Sequence, residues 1–267
     1  MVIGIRGMGL IGGSFAKAYR AAGHEVRDLK EASAEAIRGC ALVIVCLPPD
    51  LVAPWIAAHT ADFAPGTLVT DAAGVKGTVT AALESAARAA AWTYIGGHPM
   101  AGKERSGYAN SDAVLFRGAS MILTPYPETP AAEVERLKAA LAPVGFGHFE
   151  VTTPAHHDEM IAYTSQLAHV VSSAYVRDAL SAAHAGYSAG SFQDMTRVAT
   201  VDPDIWTDLF LDNRAALGAA LARLIDRLGG YRDALAEGDA GKLRALLAAG
   251  RADKERSLAA GAAGRND

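Results

Sequence analysis

Between the short apolar stretch Met1–Ile5 and the helical stretch Ser14–Ala22, which is closed by Gly23, lies Gly7-Met8-Gly9-Leu10-Ile11-Gly12. A G-x-G-x-x-G turn set between a strand and a helix has a defined use. Its glycines permit a tight turn, a close approach of backbone to a pyrophosphate and close helix packing, while the helix N-terminus attracts the anion. The chain therefore opens with a βαβ unit, and Gly7, Gly9, Leu10, Ile11 and Gly12 are the expected dinucleotide contacts. An acidic residue that binds the ribose hydroxyls belongs about 20 positions on. Asp28 comes slightly early and Glu31 close to that spacing, with the basic Arg27 and Lys30 beside them. An acidic side chain favours NAD, whereas Arg27 or Lys30 would accept the 2′-phosphate of NADP; the spacing leans to NAD.

The rest of the first half repeats the alternation. A second strand is expected at Glu25–Leu29, and a third at Ala41–Leu47, an unbroken apolar run stopped by Pro48 and Pro49 that reads as a strand buried on both faces. Further strands are expected at Thr67–Thr70, Thr93–Gly96 and Ser120–Leu123, with helices at Leu51–Ala58, Val79–Ala90 and Ala131–Ala142. Strands alternating with helices imply an α/β fold with a doubly wound parallel sheet. Pro48 and Asp71 would then stand at strand carboxyl ends, where such sheets bind their ligands. After about Val151 the strand signals stop, and helices are expected at His156–Ala183, Pro203–Leu228 and Ala240–Ala259. The boundary is placed there, giving domains 1–150 and 151–267. Apolar helical stretches such as Leu217–Leu228 need a second surface, most economically a second copy of the chain.

Composition sets limits. A chain of 267 residues is long enough for two cores, and its formal net charge of −4 offers no bulk attraction to nucleic acid or an anionic membrane. An anionic substrate must be held by local cations. Cys40 and Cys46 offer neither a zinc-ligand spacing nor a disulfide framework, so no metal site is expected and a reducing cytoplasm fits. No apolar run reaches bilayer-spanning length.

The stretch Gly96-Gly97-His98-Pro99-Met100-Ala101-Gly102-Lys103-Glu104-Arg105-Ser106-Gly107 presents a titratable ring from a strand end. Imidazole titrates near neutral pH and is the commonest general base. The bland alternative is a ring that only bonds loop carbonyls. Taken with Gly9–Ser14 (Gly-Leu-Ile-Gly-Gly-Ser), Asp71–Lys76 (Asp-x-x-x-Val-Lys), Leu115–Gly118 (Leu-Phe-x-Gly), His157-Asp158, Ser165 with His169, and Phe192–Arg197 followed by Trp206, this stretch resembles prephenate dehydrogenases from about residue 2 to 215.

That resemblance implies a Rossmann domain joined to an all-α dimerisation domain, a homodimer, and a small-molecule substrate, prephenate or the related arogenate. It implies His98 as the base at the ring 4-hydroxyl, Arg197 as the clamp on a substrate carboxylate, and His169, Gly190 and Trp206 as pocket positions, with Asp158 and Asp194 structural. Two departures stand out: Gly74 where the family usually has Ser before Val-Lys, and Gln166 where it has the first His of Ser-His-x-x-His. The work of the missing hydroxyl would fall to water, to Ser106, or to nothing. Two other classes compete: a β-hydroxyacid-type dehydrogenase, against which counts the lack of Lys in His156–Ala183, and a non-catalytic dinucleotide-sensing module, against which counts the retention of His98 with Arg197.

Overall fold

In the computed structural model, which describes residues 1–103 and 105–263, strand β1 (Val2–Arg6) runs into the glycine turn and helix α1 (Leu10–Ala21). The chain continues through β2 (Glu25–Asp28), α2 (Ala34–Arg38), β3 (Leu42–Val45), α3 (Pro49–Ala58), β4 (Leu68–Asp71), α4 (Gly77–Arg88) and β5 (Thr93–Tyr94). These five strands form one parallel sheet in the order β2-β1-β3-β4-β5. Residues of β3 show why it is doubly wound. Leu42 and Ile44 face a core layer with Phe15, Tyr19 and Phe116, while Val43 and Val45 face another with Val52, Ile56 and Leu83. Period-two alternation with both faces apolar demands a cover on each side, which α1 and α3 with α4 provide.

One expectation needs correction. The stretch Thr93–Gly96 does not continue as one strand of the parallel sheet. After Tyr94 the chain leaves it, and β6 (Gly96–Pro99) pairs antiparallel with β7 (Ser120–Thr124), beside which lies β8 (His148–Val151), in a separate three-stranded sheet. Two glycines allow the crossing. A Cβ on Gly96 would lie 2.4 Å from Thr124 Oγ1, and one on Gly97 would lie 2.5 Å from the Asp71 carbonyl. Without side chains there, β6 passes close to the carboxyl end of β4 and delivers His98 to it. Helix α5 (Ala131–Leu141) covers the layer shared with α1 through Leu137 and Leu141.

The helical part is more broken than its periodicity implies. In place of one helix from His156 to Ala183 there are α6 (Pro154–Ile161), a π-helical turn over Ala162–Gln166, α7 (Leu167–Tyr175) and a 3-10 turn over Ala179–Ala183. Thr153 caps α6 by accepting the His156 N–H. Helix α8 (Gly190–Thr196) follows, and the stretch from Pro203 divides at Asn213 into α9 (Pro203–Asp212) and α10 (Arg214–Glu237) before α11 (Ala240–Ala263). The chain forms two compact units, Met1–Ala216 and from Leu217 onward. Within the second, Tyr231 donates to the Leu246 carbonyl at 3.2 Å, and Ile225, Leu228, Leu247 and Leu258 are more than half exposed. Among the described residues, no helix is long and apolar enough to cross a membrane.

Candidate active site

Every candidate residue discussed here belongs to the first unit. The carboxyl end of β4 carries Asp71, fully buried, and the loop after it returns Lys76, also fully buried. The Lys76 ammonium donates to Asp71 Oδ1 and, at 2.7 Å, to the Gly97 carbonyl. Asp71 also accepts from the Tyr94 hydroxyl at 2.7 Å and from the Ala73 and Gly97 N–H groups at 2.8 and 3.3 Å. Burial pulls the ammonium below its ordinary range and the Asp71 charge opposes that. Its carboxylate thus belongs to an internal network that fastens β4, β5 and β6 together.

On that brace sits His98. Its Nδ1 lies 2.8 Å from His157 Nε2, and His157 Nδ1 lies 2.7 Å from Asp158 Oδ1. Asp158 accepts the Lys76 and Gly77 N–H groups at 2.8 Å each, so the start of α6 is bolted to the start of α4. Burial, then the neighbouring His157 ring and the Lys76 charge, hold His98 well below the ordinary imidazole value. At neutral pH the ring is therefore uncharged and can accept a proton. In the sequence His157-Asp158 stands only among the motifs of the family resemblance, with Asp158 given a structural part; the adjacency of His and carboxylate is the one sequence signal for their contact.

His98 opens into a chamber of about 440 Å³ bounded by Gly74, Met100, Ser165, Gln166, His169, Trp206 and Leu209. A wider one of about 1010 Å³ shares Gly102, His169 and Trp206 with it and adds Leu10, Lys103, Arg105, Ser106, Arg197 and Asp202. The two make one cleft running from the N-terminus of α1 to His98. His169 donates from Nδ1 to the Ser165 carbonyl at 2.9 Å and stacks on Trp206 with ring centroids 3.9 Å apart, presenting Nε2 to the cleft. Arg197 lies at the wide end, and among the described residues it has no acidic partner within ion-pair distance; Asp194 does not brace it. Ser106 faces the wide chamber, away from the place of the missing hydroxyl. Gly190 starts α8, is exposed and does not border the cleft among the described residues of this chain.

The glycine turn explains itself residue by residue. Gly7 has φ +98°, and a Cβ there would meet the Cys46 carbonyl at 2.3 Å; one on Gly12 would meet the Gly7 carbonyl at 1.9 Å. Those two are required by packing. A Cβ on Gly9 would meet nothing within 4 Å, so no protein packing accounts for that glycine. The α1 N-terminus has no side-chain cap and no acid in its first turn, which leaves its N–H groups for an anion. These residues fit a dinucleotide pyrophosphate. Leu10 borders the cleft and Ile11 packs on the core. Pro48 is exposed at the end of β3, and Asp28 and Glu31 are exposed at and just beyond the end of β2. Arg27 is turned away, bonded to Glu25 at 2.7 Å and to the Ala36 carbonyl at 2.9 Å. Among the described residues, no cluster of three metal-binding side chains occurs.

Residues 9–150 match the family model for the prephenate dehydrogenase nucleotide-binding domain, and residues 153–249 match that for the prephenate dehydrogenase dimerization domain. The chain belongs to the prephenate dehydrogenase family. It is 31% identical over 265 residues to the cyclohexadienyl dehydrogenase of Zymomonas mobilis, covering 89% of each chain. Its fold matches Synechocystis arogenate dehydrogenase with a TM-score of 0.82 at 25% identity, over 96% of this chain and all of that one. It also matches the prephenate dehydrogenase of A. aeolicus in complex with hydroxyphenyl propionate and NAD+, with a TM-score of 0.81 at 25% identity, over 96% and 98% of the two chains. As a member of this family of dehydrogenases it is an oxidoreductase, and a nicotinamide dinucleotide is its cofactor.

Within the family, Gly74 can be tested directly. A Cβ there would lie 3.5 Å from Leu209 Cδ2 and 4.0 Å from His98 Nε2, ordinary contacts at an ordinary backbone angle. We expect Gly74→Ser to keep or slightly raise the melting temperature, since it removes glycine's freedom from the unfolded chain. Its hydroxyl, carried by a Cβ that would lie 4.0 Å from His98 Nε2, should raise kcat/KM about 10-fold, the worth of one well-made hydrogen bond. Parallel calorimetry and kinetics check both; an unchanged kcat/KM in a stable variant would mean that the hydroxyl has no task here.

Proposed function

We propose that this enzyme oxidises prephenate with loss of carbon dioxide, giving 4-hydroxyphenylpyruvate, a step toward tyrosine. The observation that carries the reading is a neutral His98 facing the same cleft as Arg197, which among the described residues has no acidic partner in ion-pair reach. The bound nicotinamide would accept a hydride. His98 Nε2 takes the proton of the ring 4-hydroxyl as the hydride leaves C4. The bond from the ring to its carboxylate then breaks, carbon dioxide departs, and the electron pair makes the ring aromatic with a phenolate oxygen, to which His98 returns the proton. Arg197 pairs with a carboxylate through both prongs of its guanidinium. His169 and Trp206 wall the ring.

Prephenate is preferred over arogenate in this reading because, among the described residues, Lys103, Arg105 and Arg197 border the wide chamber with one acidic side chain, Asp202. Such a lining suits a side chain that carries a carboxylate without an amino group. Steady-state kinetics with the two substrates side by side tests this: kcat/KM should be higher for prephenate, and a preference for arogenate would overturn it.

NAD is the proposed cofactor. Asp28 stands open at the end of β2 while Arg27 is occupied, which leaves Lys30 as the one neighbouring cation for a 2′-phosphate. Asp28→Asn should lower kcat/KM for NAD by about 10-fold, one charge-assisted hydrogen bond, and leave NADP little changed. A wild-type enzyme that prefers NADP would contradict the assignment. The chain is also proposed to divide into a dinucleotide-binding domain, 1–150, and a helical domain, 151–267, through which two copies pair. The exposed apolar residues of α10 and α11 support that pairing.

A further inference from the structure

We propose that His157 and Asp158 act with His98 as a three-member relay that fixes which nitrogen of His98 carries its proton. The inference rests on His98 being the base. It begins at Asp158, on which the Lys76 and Gly77 N–H groups and His157 Nδ1 converge within 2.8 Å, leaving the carboxylate as the acceptor of all three. His157 must then carry its hydrogen on Nδ1. While His157 is uncharged its Nε2 keeps a lone pair, and 2.8 Å away His98 Nδ1 is then the donor. A neutral imidazole holds one hydrogen, so His98 Nε2 is bare. That nitrogen faces Gly74, where a Cβ would be 4.0 Å away and no side chain exists to orient the ring from the substrate side.

In this chain the orientation of the base therefore comes from behind. When Nε2 gains the substrate proton, the His98 Nδ1–H becomes a stronger donor to His157, and the polarisation passes to the Asp158 carboxylate. No proton need leave His98, and both neighbours are positioning residues that never touch substrate. The relay also accounts for His157 being buried with both ring nitrogens bonded, at the start of a helix whose own cap is Thr153.

The test combines nitrogen NMR with kinetics on the whole enzyme. In protein labelled with 15N-histidine, assigned by the signals lost in His98→Asn, His98 Nε2 should resonate as a bare nitrogen and Nδ1 as a protonated one. Asp158→Asn offers an amide N–H₂ to His157 and reverses the chain; Nε2 should become protonated and kcat fall by about 10²-fold or more. His157→Phe should lower kcat by about 10- to 100-fold with KM for the dinucleotide unchanged, because the ring of the base is no longer held in its productive tautomer. His157→Gln, whose amide oxygen can accept in place of Nε2, should recover most of the rate. A wild-type His98 protonated on Nε2 would overturn the relay, as would a folded His157→Phe with unchanged kcat. If His98→Asn itself kept its activity, the failure would lie in the base and not in the relay.

Discussion

Replacing His98 by Asn should lower kcat roughly 10²- to 10⁴-fold, the usual worth of a positioned general base, while prephenate and dinucleotide still bind. Asn suits the purpose because its amide N–H₂ falls near the imidazole Nδ1 and can still donate to His157 Nε2, so the contact between β6 and α6 survives. What disappears is Nε2. The pH dependence carries the same claim with a definite sign. Only the uncharged ring accepts a proton, and burial holds its pKa well below 6.5. Activity should therefore persist as pH falls below 6.5 and collapse only near the lowered value. Stability behaves differently. The unfolded chain takes up a proton near pH 6.5 that the folded ring refuses, so the contribution of His98 to stability is complete above 6.5 and is lost as pH falls from there toward the lowered value. Kinetics and thermal melts across the same pH series check the two windows separately.

Arg197→Lys should lower kcat/KM for prephenate by about 10-fold, the worth of one charge-assisted hydrogen bond, because the pair loses its two-pronged geometry in the cleft. Lysine keeps the charge, so the loss reports shape. The negative net charge of the protein gives an anionic ligand no general help, which concentrates the burden on this residue and its neighbours at the wide end. KM for the dinucleotide should change little. The alternative is that Arg197 braces the helices; it would lower the melting temperature and spare KM for prephenate. With no acidic side chain in ion-pair reach among the described residues, Arg197 has little to brace. A stability loss without a kinetic one in the same preparation would remove it from the substrate site.

The parts of the fold that could be read in advance were those where one local rule acts alone. The glycine turn demands its strand and helix, and an apolar run such as Leu42–Val45 has no stable place except between two covered faces. His98 between glycines and proline announced itself as a presented ring. What could not be read depended on distant partners. Strand β8 is a four-residue edge strand, and the alternation of His148-Phe149-Glu150-Val151 is too short to stand out from the loops around it. The crossing at Ile95 is set by backbone approach at Gly96 and Gly97, which periodicity does not register. Asp71 has the residue type and strand-end position of a ligand contact, yet a buried Lys five residues later draws it inward.

The helical region erred in the same way. The π turn at Ala162–Gln166 and the break at Asn213 keep the apolar spacing of a continuous helix while redirecting its polar side chains. Asn213 Nδ2 reaches the Asp158 carbonyl at 2.8 Å and Gln166 Oε1 at 2.7 Å, and Gln166 Nε2 reaches the Leu209 carbonyl at 3.1 Å. Gln166, a departure from the family pattern in sequence, is thus a satisfied buried amide beside the base. Gly190 was transferred by motif alone, and its helix stands outside the cleft of this chain.

One cleft joins the glycine turn, His98 and Arg197, and in the proposed reaction it oxidises and decarboxylates the same molecule, which product stoichiometry can decide. With prephenate and NAD, reduced cofactor and carbon dioxide should appear together, one of each for every 4-hydroxyphenylpyruvate formed, and both should stop in His98→Asn. Carbon dioxide released without reduced cofactor, or neither product formed while both ligands bind, would contradict it.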